Sequence, residues 1–163
     1  MLVYSLSDNN IQGENFRGFL LYCLEISTYF SITIVNPQIK LSEFNKFLSK
    51  SFHTYSWYCY KTYEKPLSIM LYHSTPLLLA EIIKHFDCLF PENTKGIEDI
   101  CFFNDTEIMF GSVTHEGIAQ LVLSSETDIK SYRKFAKWEK EVITDKDCDF
   151  FPNLKKLTET CVD

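Results

Sequence analysis

EDICFFNDTEIMFGSVTHEGIAQLVL, Glu98 to Leu123, is the stretch that decides the fold. It predicts three short strands joined by two tight turns. Asn104-Asp105 makes the first turn and Glu116-Gly117 the second, because these residue types tolerate turn backbone. His115 and Glu116 stand side by side at the second turn. A fold signal and possible chemistry therefore coincide here.

Working back from this meander, Pro91 to Gly96 is a loop. Before it, Thr75-Pro76 is a helix start, since Thr caps and Pro fits the first helical position. Leu78, Leu79, Ile82, Ile83 and Phe86 give that helix an apolar stripe. Further back, His53 to Tyr63 and Leu67 to Tyr72 are expected to pair as a hairpin across Glu64-Lys65-Pro66. The first of these strands is crowded with Tyr55, Trp57, Tyr58, Tyr60 and Tyr63, a candidate for an open sheet face. Ser42 looks like an N-cap, with a short helix from about Glu43 to Lys50. Tyr29 to Val35 is β-branched and aromatic and stops at Asn36-Pro37, so it reads as a strand. Phe16, Phe19, Leu20, Cys23 and Leu24 follow helical spacing within Asn15 to Ile26. Met1 to Leu6 is a short apolar run before a polar turn, Ser7 to Gly13.

Downstream of the meander, a final helix is expected from near Ser125, with Ile129, Tyr132, Phe135 and Ala136 as its apolar face. The tail after Val142 is polar, and Phe150, Phe151, Leu154 and Leu157 are placed to dock a last short helix. The whole pattern predicts an α+β fold. A mostly antiparallel sheet of about five to six strands carries three to five helices, packed mainly on one face. Residues 1–163 form a single domain with a loosely packed tail from 143 to 163.

Net charge is −6, and the chain has only two Arg, Arg17 and Arg133, with no basic run. Phosphate binding relies on Lys and Arg, so neither nucleic acid nor an anionic membrane is an expected partner. A basic protein suits the charge better, although a modest negative charge also serves solubility. The six cysteines are widely spaced, and Cys23, Cys59 and Cys101 sit in apolar or aromatic runs. The start, MLVYSLSDNN, has no signal-peptide pattern. Reduced thiols in a cytoplasmic protein are expected.

For chemistry, His115-Glu116 is the first candidate, as an acid/base pair. Successive strand residues point to opposite faces, so the two should face apart unless the turn converges them, and turn capping competes as a role. Glu98, Asp99, Glu107 and Glu116 gather if the three strands pair, giving an acidic rim for a cation or a basic partner. A solvated strand end is the plainer reading. His53, His73 and His85 fall in no HExxH or HxH pattern. Neither a Gly-rich phosphate loop nor a GxSxG elbow occurs, and Cys88 has no evident base. No catalytic residue, metal ligand or cofactor is assigned from these patterns.

IEDICFFNDTEIMFGSVTHEG, Ile97 to Gly117, resembles small bacterial proteins in which an "EDL(C/A)FF" strand leads to a second strand ending "(S/T)HE". Ser27-Thr28-Tyr29-Phe30-Ser31 is similar to their "SDYFS" step from helix to strand. The loop after Tyr63 departs from them, lacking their Trp-Pro-Gly-Thr stretch. Some such proteins resemble antitoxins or immunity proteins of toxin systems. The resemblance implies an immunity protein, and the acidic balance, the Tyr-rich strand and the missing catalytic motifs point to occlusion of a basic toxin domain. Tyr55, Trp57 and Tyr58 would supply contact area, while Glu98, Asp99, Glu107, His115 and Glu116 would meet basic groups. Two alternatives stand beside it: a small hydrolase or nuclease using His115 with nearby carboxylates, and a regulatory domain that self-associates through its Tyr-rich face.

Overall fold

The computed structural model describes residues 1–158, so Cys161 and the end of the expected tail lie outside the described residues. In chain order the elements are β1 (Leu2–Leu6), α1 (Gly13–Ile26), β2 (Tyr29–Ile34), β3 (Leu48–Thr54), β4 (Ser56–Trp57), β5 (Tyr60–Lys61), β6 (Leu67–His73) and α2 (Leu79–His85). They continue as β7 (Ile97–Asn104), β8 (Glu107–Val113), β9 (Ile118–Leu123), α3 (Ile129–Tyr132) and β10 (Trp138–Glu141). The class is α+β. Eight strands form one sheet in the order β10-β1-β9-β8-β7-β2-β6-β3, and every neighbouring pair is antiparallel. The meander expected at Glu98–Leu123 is its centre, as β7, β8 and β9.

The sheet exceeds the expected five to six strands because β1 and β10 carry little periodic signal. β1 is a short apolar run that pairs β9 on one side and β10 on the other. β10 reads Trp-Glu-Lys-Glu, an edge strand whose charges discourage further pairing. The helix expected from Ser125 shrinks to α3, one turn long, and the chain then returns to the sheet edge as β10.

Upstream, Ser42–Phe47 is a 3-10 turn rather than the start of a helix to Lys50, and β3 already begins at Leu48. The strand expected over His53–Tyr63 breaks at Tyr55. Beyond it the chain leaves the sheet as the β4–β5 hairpin. By contrast, the start at Thr75-Pro76 forms as read: Thr75 Oγ1 accepts the Leu77 amide at 3.4 Å, and Pro76–Leu78 leads into α2.

Strand alternation divides the apolar side chains between two faces. Phe30, Ile32, Ile100 and Phe102 join Phe16, Phe19, Leu20, Cys23 and Leu24 of α1 and Ile82 of α2 in one cluster. Cys101, Phe103, Ile69, Leu71 and Phe52 form a second cluster on the opposite side. No residue of the three helices belongs to the second cluster. It is closed instead by Trp57 and Tyr58 of the β4–β5 hairpin, with Phe151, Leu154 and Leu157 of the tail.

Gly111 makes that closure possible. A Cβ there would stand 2.6 Å from the Tyr58 ring, so the ring lies directly against bare backbone. Phe151 stacks on the other side of Tyr58 at 5.7 Å between centroids, with the planes 6° apart. The tail is further tied down by the Cys59 amide donating to the Phe150 carbonyl at 3.0 Å and the Leu154 amide to the Thr106 carbonyl at 2.9 Å.

Candidate functional site

β7 opens with two successive carboxylates, Glu98 and Asp99, inside a strand buried on both faces. Regular pleating would send one of them into the core. A bulge redirects it to polar partners instead. On β2, Ser31 pairs Cys101 and Thr33 pairs Glu98, so β7 carries an extra residue in this interval. Asp99 takes φ 58°, the left-handed region, which Asp tolerates better than most residues.

The bulge aims Asp99 at the turn between β8 and β9. The Asp99 amide donates to Thr114 Oγ1 at 2.9 Å, and the Thr114 amide donates to Asp99 Oδ1 at 2.7 Å. This reciprocal pair fixes the 3-10 turn Thr114–Glu116, which Gly117 ends at φ 65°. Asp99 is only 6% exposed. Burial pushes its carboxyl above the usual range and the Glu98 charge adds to this; the Thr114 amide and hydroxyl and His115 pull the other way.

The same turn presents His115 and Glu116. His115 Nδ1 lies 3.8 Å from Glu98 Oε2, and Nε2 lies 3.8 Å from Glu116 Oε1. The two adjacent residues therefore do not face apart as strand pleating implied, because the backbone here is a 3-10 turn. Nor do they cap the turn: neither side chain makes a hydrogen bond among the described residues, and Asp99 with Thr114 satisfies the backbone instead. The Tyr60 ring meets the imidazole edge-on at 5.3 Å, placing the β4–β5 hairpin beside the rim.

Glu107 does not join this group. It sits at the far end of the β7–β8 hairpin, opposite Asn104, where it accepts from Asn153 Nδ2 at 2.7 Å. The acidic rim is thus Glu98, Asp99 and Glu116 around His115. Of the aromatic residues expected to supply contact area, Trp57 is 3% and Tyr58 1% exposed, and both serve as core plugs. Trp57 packs on Phe52 and Phe103, and Tyr58 donates its hydroxyl to Gln120 Oε1. Tyr55 remains available at 42% exposure, and Tyr63 on the same hairpin at 83%. Reasoning from sequence missed Thr114, and it placed Tyr60 and Tyr63 in the Tyr-rich segment without assigning them to the site. The pair Glu98-Asp99 held a signal for the first, since two adjacent carboxylates in a buried strand call for a bulge and a local donor.

Chemically, His115 between two carboxylates is within reach of water-bridged proton transfer. The large clefts lie elsewhere: one of about 560 Å³ near Asn10, Asp87, Cys88 and Glu92, one of about 530 Å³ near Met1, Tyr22, Glu107 and Asp128, and one of about 490 Å³ near Cys59, Gln120, Glu141 and Phe150. Cys23 and Cys101 are buried free thiols, pushed up by burial, and Cys59 and Cys88 are free and half-buried. No helix among the described residues is long and apolar enough to cross a membrane. Compared with protein-family models, with curated proteins and with solved structures, the chain matches none.

Proposed function

We propose that this chain is a protein-binding module that engages a basic partner through the rim formed by Glu98, Asp99, His115 and Glu116. The observation that carries this reading is the unpaired charge of the rim. Three carboxylates converge on one turn, and among the described residues no Lys or Arg ion pair reaches any of them. An acidic surface left open in this way speeds encounter with a basic target and selects against acidic ones.

Tyr55, Tyr60 and Tyr63, on the hairpin next to the rim, replace Trp57 and Tyr58 as the source of aromatic contact area. Tyr is favoured in interfaces because it buries much area at low entropic cost and keeps a polar tip. The partner class we favour is a basic toxin domain, with this chain as a bacterial immunity protein that acts by occlusion in the cytoplasm. The test is co-expression with the product of the adjacent open reading frame, followed by affinity capture. Recovery of a stoichiometric complex supports the reading. A neighbouring product that is basic and fails to bind removes its foundation.

A further inference from the structure

We propose that Glu98, Asp99 and His115 form a binding site for one divalent transition-metal ion. One ligand atom from each residue lies within 4.8 Å of the others. Metal bonds to carboxylate oxygen and imidazole nitrogen are about 2.0–2.2 Å, so ligands of one ion stand roughly 3–4 Å apart. The cluster needs a contraction of at most about 1–2 Å. The Glu98 and His115 side chains, 18% and 44% exposed, have room to supply it, while Asp99 is fixed by its bulge.

A second observation points to a cation independently of this spacing. The Asp99 carboxylate is buried and accepts a hydrogen bond from the Thr114 amide at Oδ1, yet among the described residues no Lys or Arg pairs with it. A buried anion without a countercharge is costly, and an ion held between Asp99, Glu98 and His115 would relieve that cost. The position of Glu116 fits as well. It faces Nε2, on the opposite side of the imidazole from Glu98, as carboxylates do behind metal-ligating histidines.

One imidazole nitrogen and two carboxylate oxygens suit Zn²⁺, Mn²⁺ or Co²⁺ better than Mg²⁺ or Ca²⁺, which favour all-oxygen shells. Three protein ligands leave coordination positions for water. The site does not rest on the partner reading, because it is measured on the isolated chain.

The experiment is calorimetric titration of ZnCl₂, MnCl₂ and CoCl₂, then MgCl₂ and CaCl₂, into the full chain stripped with chelator. His115→Ala and Glu98→Gln run in parallel, and the Co²⁺ absorption band reports direct ligation. The expected result is one saturable transition-metal ion per chain, weakened at least ~10-fold by either variant, with little response to Mg²⁺ or Ca²⁺. His115 is open to solvent and Glu98 reaches it in part, and matching unfolding midpoints of the metal-free proteins verify that the fold is kept. Absence of saturable binding at millimolar metal overturns the site, as does equal affinity in wild type and His115→Ala.

Discussion

Asp99 ties the bulge of β7 to the turn between β8 and β9. Its left-handed backbone makes the bulge, its amide and carboxylate hold Thr114, and its burial leaves it short of solvation. Asn also tolerates the left-handed region and offers the same acceptor to the Thr114 amide. Asp99→Asn should therefore fold with stability equal to or above wild type at neutral pH. Asp99→Ala strands the Thr114 amide and strains the backbone, and should cost about 2–3 kcal/mol in urea unfolding. The pH dependence follows from the raised carboxyl. A raised folded value means that the native state holds a proton the unfolded chain has already released. The penalty is thus fully present above the folded value and fades as pH falls toward the ordinary carboxylate range. The advantage of Asp99→Asn over wild type should shrink on acidification from pH 7 toward about pH 4, read from denaturation midpoints. An advantage that grows in acid would mean that Asp99 is stabilised as the anion.

The β4–β5 hairpin and the tail close the sheet face that no helix covers, and this closure depends on Gly111 and Tyr58. Gly111→Ala places a methyl group 2.6 Å from the Tyr58 ring and should destabilise by about 1–3 kcal/mol, with the tail loosening first in hydrogen exchange. Retained stability with unchanged tail protection would show that the hairpin is not clamped there. This closure is also where sequence reading fell short. The meander was legible because β7–β9 combine apolar runs with Asn-Asp and Glu-Gly turns. The Tyr-rich segment reads as an exposed strand, since local pattern cannot reveal that Trp57 and Tyr58 turn inward onto Gly111, Phe103 and Phe151. β10 was hidden for the opposite reason: it is short and charged at a sheet edge, and its pairing with β1 spans almost the whole chain. At the rim, the residue set was largely legible and its geometry was not. Bulge and 3-10 turn brought Glu98, Asp99, His115 and Glu116 together and sent Glu107 to the far end.

Taken as a unit, the chain is a sheet buried on both faces, with its most distinctive open chemistry at the end where β7 meets the turn into β9. The −6 net charge and the unpaired rim give it an electrostatic bias toward basic surfaces. Association with such a partner should weaken as salt rises from about 50 to 500 mM, mainly through a slower on-rate. The most direct measurement is the affinity of the basic neighbouring gene product for wild type against the Glu98→Lys/Glu116→Lys double variant, at two salt concentrations. With matching unfolding midpoints as the check that the fold is kept, reversing the exposed Glu116 and the partly exposed Glu98 should weaken binding by ~100-fold or more at low salt, with the loss narrowing at high salt. Equal affinity for both proteins at both salt concentrations would contradict the rim as the binding surface.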